Sequence, residues 1–452
     1  MNIQLKSLEE VDRLPKDAGA QLVGQYRALA PRLPGAGDAA LRKLREDAIA
    51  AFAARGLPNR RVEEWKYTDL RAAMQQAFEP ASEGAPAGFD LDALLGPLAE
   101  IGGARRVFIN GRLSPALSRL GALADGLELV TLAEALGGTA PEWLTAVLGR
   151  TKSGQGDVVT QLNMAFASDG VALRLAKGRK TDEPVHLIHV ATGEMPASAA
   201  LRNVVVVEDG AEAVLIETYV SAGGVAAQMN SVTEIAVADG AKLHHYTVAA
   251  ENTDTQHLAS TLVTLGARAD YLAVQFASGG GLSRLQTFVT YQGDGARAHV
   301  IGCQLMRGRQ HCDMTLVIDH ASVGCESREH VKAVLDGHAQ GVFQAKVIVR
   351  PGAQKTDGRQ MAQALLLSET AEFDAKPELE IFADDVKCNH GATTGAIDED
   401  LLFYLRARGI PEDQARALLI QAFIGEVLDR VEHDGLRQAL EAKAASWLLP
   451  QG

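Results

Sequence analysis

Residues 203–220 read NVVVVEDGAEAVLIETYV, two apolar, β-branched runs on either side of Asp-Gly-Ala. Runs of that kind suit buried strands, and Asp-Gly supplies the turn between them. The pattern returns in TEIAVADGAKLHHYTVA (233–249), STLVTLGARADYLAVQF (260–276) and TFVTYQGDGARAHVIG (287–302). Its glycines fall at 210, 240, 266, 295, 324 and 352, separated by 30, 26, 29, 29 and 28 residues. Each is followed by alanine except Gly324, which is followed by Cys325. Glycine tolerates the positive φ of a tight corner, and a small residue after it fits a crowded one. A constant period with strand, turn and strand in every unit predicts a stacked β-helix, in which each unit buries its apolar face on its neighbours. A β-sandwich is the rival architecture.

Outward from this centre the character changes. From 1 to about 75 the chain reads as helix, with LRKLREDAIAAFAARG (41–56) ending on a glycine stop. EPASEGAPAG (79–88) reads as a linker, and the stretch to 150 is mixed: a strand at RRVFIN (105–110), then helix-like LVTLAEAL (129–136) and PEWLTAVLG (141–149). After 396, Asp398 can cap EDLLFYLRARG (399–409), and Pro411 suits the first turn of the helix that follows. The boundaries expected are 1–78 helical, 79–155 linker and mixed segment, 156–395 β-helix, and 396–452 helical. The last long helix carries two apolar stripes. Leu418, Leu419, Ala422 and Phe423 form one, and Ile420, Ile424, Val427, Leu428 and Val431 form the other. A surface helix needs one stripe, so the second requires a cover, either the other terminal helices or a partner.

Bulk composition excludes several classes. With 452 residues, 47% hydrophobic and 22% charged, the chain is ordinary globular protein with room for more than one core. A net charge of −13 weighs against nucleic acid as a general partner. The opening MNIQLKSLEEVDRLP has charges every few residues and no apolar run reaches spanning length, so a cytoplasmic protein with no membrane association is expected. No GxSxG elbow or P-loop is present, so any nucleotide chemistry belongs to another chain. A polysaccharide-active or adhesive β-helix is a further class, but 5% aromatic content and no secretion signal argue against it.

Candidate ligands for a metal fall into two groups. His299, Cys303, His311, Cys312, His320, Cys325, His330 and His338 crowd residues 299–338, without paired-ligand spacing. In HCDMTLVIDH (311–320), Cys312 shares the apolar face with Met314, Leu316 and Ile318, and Cys325 fills the small-residue slot of the repeat. Both read as structural thiols, and His311, Asp313 and Thr315 read as a hydrogen-bond ladder. The second group is Cys388 and His390 in VKCNHGATTG (386–395), two residues apart and therefore on one strand face. Thiol and imidazole together make half of a tetrahedral site. No CxxC pair accompanies them among the four cysteines.

PELEIFADDVKCNHGATTGAIDEDLLFYLRARGI (377–410) resembles the C-terminal signature of the SufB/SufD family of iron–sulfur cluster assembly proteins. HCDMTLVIDH (311–320), VKAVLDGHAQGVFQAKVIV (331–349) and GAQKTDGRQMAQALLLSETAE (352–372) resemble the same family. LPNRRVEEWKYTDL (57–70) and LNMAFASDGVALRL (162–175) are similar to its SufD branch. Ala345 and Ala362 depart from the residues usual there, glycine and asparagine.

The resemblance implies a mainly β fold, a right-handed parallel β-helix flanked by N- and C-terminal helical domains. It implies a non-enzymatic scaffold subunit that pairs side by side with a SufB-type paralogue and docks a SufC-type ABC ATPase. A cysteine desulfurase system would supply sulfur indirectly, and the free subunit can pair with itself. A transient iron–sulfur cluster, shared with the partner, would form near His390, with Cys388 its neighbour and His390 a metal ligand only together with partner ligands. The ATPase would dock on the C-terminal helices, through Phe403, Tyr404, Ile420, Phe423, Ile424, Val427 and Leu428. A flavin on the assembly is a further cofactor the resemblance leaves open, and a SufB-type sulfur-accepting role is the alternative within the family.

Overall fold

Seven corners with positive φ run up one side of the chain, at Gly178, Gly210, Gly240, Arg268, Gly295, Gly324 and Lys355. At each, the backbone N–H donates to a carbonyl of the next turn: Gly210 to Asp239, Gly240 to Ala267, Arg268 to Asp294, Gly295 to Val323. The residue after the last six corners is small and buried: Ala211, Ala241, Ala269, Ala296, Cys325 and Thr356. The repeat is therefore real, but two of its glycines are displaced. Gly266 and Gly352 do not have positive φ; Arg268 and Lys355 take the corner instead. A left-handed non-glycine residue costs roughly 1–2 kcal/mol, and the inter-turn hydrogen bond offsets it. Gly266 is needed for a different reason, since a Cβ there would meet the Asp239 backbone nitrogen at 2.8 Å. Nothing crowds Gly352.

The computed structural model describes residues 17–81, 84–86, 88–151, 154 and 156–449. They form a parallel β-solenoid of about seven turns, flanked by N- and C-terminal helices. Two strands make each turn, so the coil is flattened into a ten-stranded and a nine-stranded sheet. Pairing is parallel and in register, unlike a sandwich, except where Arg112–Leu113 and Leu127–Thr131 close the first turn antiparallel. One inward ladder reads Val205, Ile235, Val263, Val289, Ile318 and Val347, all fully buried. β-Branched residues stacked at the strand spacing give each turn the same dry neighbour above and below.

Several local expectations change. Strand Ala104–Ile109 joins the ten-stranded sheet beside Val185–Thr192, so the solenoid takes in part of the segment read as mixed. The LVT of LVTLAEAL is strand, and its helix begins at Leu132 behind a Thr131/Glu134 capping box. The N-terminal region forms helices Ala18–Leu29 and Ala39–Arg55, after which residues 57–69 run irregularly, with a single 3-10 turn at Glu63–Trp65, up to the short helix Leu70–Ala73. The helical reading of residues 1–16, and parts of the 79–88 linker, fall outside the described residues.

The two helical groups cover opposite outer faces. Helices Ala18–Leu29, Ala39–Arg55 and Val158–Phe166 share a core with the nine-stranded sheet through Val204 and Leu258. Helices Glu399–Ala407, Glu412–Leu428 and Asp434–Leu448 share another with the ten-stranded sheet through Cys303, Leu305 and Val334. Lys332, 2% exposed on that sheet, reaches Glu426 at 2.6 Å and lies 4.4 Å from the Phe423 ring centroid. This corrects the docking assignment for part of the long helix. Ile420, Ile424, Val427 and Leu428 are buried against the chain's own solenoid and helices, so no partner reaches them. The cover they require is intramolecular. Ile424→Asp should consequently destabilise the isolated chain by several kcal/mol, because it buries an unpaired charge. A chemical-denaturation midpoint equal to that of the unmodified chain would refute this packing.

Candidate functional site

The last turn of the solenoid consists of strands Glu372–Ile381 and Lys387–Gly395, each at the edge of its sheet. Lys387 donates its N–H to the carbonyl of Thr356. In a parallel ladder alternate residues face opposite neighbours, so the backbones of Cys388, His390, Ala392 and Thr394 face the open edge. Asn389 and His390 are exposed and Cys388 is half-buried. Met361, Ile381 and Phe382 are exposed apolar side chains of the same two final turns, Phe382 by 60%.

Register shows what lies beneath. Val300, Glu329, Gln360 and His390 form one inward-facing column, and Ala298, Ser327, Gly358 and Cys388 form the column beside it. The geometry thus places Cys388 and His390 on one face, as their spacing predicts, at the mouth of the solenoid interior. Gly358 leaves room for the thiol: a Cβ there would stand 3.6 Å from the Cys388 sulfur. Partial burial pushes the Cys388 thiol up, which keeps it protonated and a poor nucleophile.

Below the mouth the interior is polar. Glu329 is buried and neither carboxyl oxygen has a hydrogen-bond partner of good geometry. Burial pushes its pKa up to about 8. Gln360 crosses the interior to the Glu378 carbonyl at 3.5 Å. His320 stacks on Tyr291 with centroids 4.4 Å apart and bonds Ser327 at 3.0 Å. Sequence reasoning passed over Glu329 and Gln360, although the alternation Ser327, Glu329, Val331 marks the carboxyl as inward-facing.

The histidine and cysteine cluster of 299–338 disperses. Cys312 lies in the interior with Met314, Leu316 and Ile318, and Cys325 fills its corner. Cys303 faces the C-terminal helices, where burial drives its thiol up to about 12. His299 meets Glu326 at 3.2 Å, His330 meets Gln363 at 3.3 Å, and His338 is exposed. Among the described residues no three His, Cys, Asp or Glu side chains gather to hold a metal.

The His311–Asp313–Thr315 ladder proves to be a docking face for the 57–70 segment. Thr68 meets His311 at 2.9 Å and donates to Asp313, while Thr315 bonds Asp313 at 2.8 Å. Arg284, 1% exposed, pairs with Asp313, donates to the Glu64 carbonyl at 2.6 Å and stacks 3.8 Å from the Trp65 ring centroid. On the opposite side, the remaining candidate docking residues Phe403 and Tyr404 are 72% and 55% exposed, near Leu401 and Leu418 in the same helix pair.

Residues 189–423 match the family described as SUF system FeS cluster assembly, SufBD core domain, and residues 18–187 match the SufBD protein N-terminal region. An iron–sulfur cluster assembly SufBD family protein of Synechocystis is 31% identical over 414 residues, 88% of this chain and 89% of the relative. The iron–sulfur cluster assembly protein SufD of Escherichia coli is 31% identical over 392 residues, covering 86% and 88%. The chloroplastic protein ABCI7 of Arabidopsis thaliana is 28% identical over 407 residues, covering 88% and 84%.

Glu329 makes a pH prediction. Its folded pKa of about 8 exceeds the ordinary 4.5, so between those values the folded state holds a proton that the unfolded state has lost. Stability then falls as pH rises through this window, by up to about 1.4 kcal/mol per pH unit. Glu329→Gln should flatten the fall and raise the melting temperature at pH 8 more than at pH 5. Equal changes at both pH values would show that Glu329 is not buried as an acid.

Proposed function

Because the chain belongs to the SufBD family of iron–sulfur cluster assembly proteins, we propose that it is a SufD-like, non-enzymatic subunit of a SufBCD-type scaffold. Its solenoid mouth pairs with a SufB-type paralogue, and its C-terminal helices dock a SufC-type ABC ATPase. The observation that carries the reading is the position of His390, exposed on an unpaired edge strand. An edge strand is a template for a second chain, and one pairing there would bring its own side chains beside His390. The nascent cluster is cargo held transiently between the two chains, with His390 as one ligand. Cys388, protonated and half-buried, is held as its neighbour rather than as the sulfur acceptor.

For the ATPase, the exposed surface is Leu401, Phe403, Tyr404 and Leu418, with Phe423 half-buried beneath. Nucleotide-driven motion of the partner would reach the mouth through the helix Glu412–Leu428, which packs on the strand holding Glu329 and Lys332. The compartment proposed is the cytoplasm, in keeping with four free cysteines. Among the described residues no helix is long and apolar enough to cross a membrane.

Co-expression with the paralogue and the ATPase tests each part. His390→Ala should cut iron and acid-labile sulfide at least severalfold while all subunits still co-purify. Normal iron and sulfide would remove His390 from the site. Ala392→Pro deletes an N–H that faces the open edge and spares the chain's own ladder. It should release the paralogue, and Phe403→Asp should release the ATPase. Intact complexes from both variants would relocate the interfaces.

A further inference from the structure

A cavity of about 360 Å3 lies between the N-terminal helices and the outer face of the nine-stranded sheet, far along the chain from the mouth. Leu22, Leu33, Met74, Leu162, Phe166 and Leu258 form its apolar part, while Asn110, Ser168, Ser198, Gln228 and Asn230 give it a polar side. The size falls within the roughly 300–1,000 Å3 of small-molecule sites.

Two cations stand at the rim. Arg32 and Arg112 line the cavity and are exposed. Arg32 donates only to the Ala28 carbonyl at 3.4 Å, and neither arginine has an ion-pair partner among the described residues. Nearby arginines behave differently: Arg71 pairs with Asp17 at 3.1 Å, and Arg105 with Asp92 at 2.6 Å. One carboxylate, Asp169, also lines the cavity, but it accepts the Ala133 N–H at 3.2 Å. Its charge is thereby turned into the backbone. A pocket with an extended apolar side and unpaired cations at its mouth complements a ligand with a hydrocarbon body and one anionic end.

We propose that this cavity binds a single-chain anionic amphiphile of the fatty-carboxylate class, its alkyl chain among the leucines and its carboxylate between Arg32 and Arg112. The role is independent of cluster assembly and of the solenoid mouth. It assigns the N-terminal helices a ligand in addition to their packing.

The test is a fluorescence titration of the full chain with cis-parinaric acid, competed by oleate. Saturable binding of one molecule per chain is expected. The double variant Arg32→Glu/Arg112→Glu should weaken the acid at least tenfold and leave competition by the neutral oleyl alcohol unchanged. Ala200→Phe, which fills the cavity from the sheet side, should abolish binding of both, with a melting curve confirming the fold; should it not fold, the surface double variant decides alone. Absence of saturable binding, or acid binding unaffected by the charge reversal, would overturn the proposal. So would retention on phosphatidylglycerol vesicles that the charge reversal abolishes while acid binding persists, because the arginines would then serve a membrane surface.

Discussion

One hydrogen bond, repeated, carries this architecture: the N–H of a left-handed corner residue donated to a carbonyl of the turn above. It fixes the rise between turns and the register of both sheets at once, because each corner joins a strand of one sheet to a strand of the other. The interior ladder follows from it. A slip of one residue in any turn would move every inward side chain to the outside and break the stack on both sides. The corner constraint also explains why Arg268 and Lys355 accept an unfavourable backbone conformation. The bond is required at that height of the coil, whichever residue the sequence supplies there.

A coil built this way ends abruptly. Its first turn is closed by two short antiparallel strands, whereas its last presents two long edges and an uncovered interior. Inward side chains elsewhere in the coil have a neighbour on both sides along its axis, and those of the final turn have one. His390 and Cys388 are among the inward residues of that final turn.

Much of this was legible in the sequence, and the limits are informative. The period showed the solenoid because stacking forces each unit to repeat its strands. It mislocated two corners: Gly266 marks a close approach of backbones rather than positive φ, and nothing in the structure explains the glycine at 352. The pairing of Cys388 with His390 on one face was readable from strand alternation, and so were the structural roles of Cys312 and Cys325. The second apolar stripe of helix 412–428 was also visible, but its cover was not, since Val334 and Lys332 lie some ninety residues upstream. The polar ladder at His311, Asp313 and Thr315 was likewise seen without its partner. Local patterns name the face; only the fold says what rests on it.

The contact between Thr68 and Asp313 joins residues 245 positions apart. Solenoids can grow turn by turn as the chain emerges, but this clasp has no second half until the sixth pair of strands exists. At synthesis rates of roughly 5–20 residues per second, about 12 to 50 seconds pass between the two halves. Throughout that interval Thr68 lacks its partner, and Trp65 gains the Arg284 guanidinium it stacks on only in the later part of it. Residues 57–70 are made long before the strands that fasten them, so during synthesis this segment is a point at which the unfinished chain is open to aggregation and proteolysis.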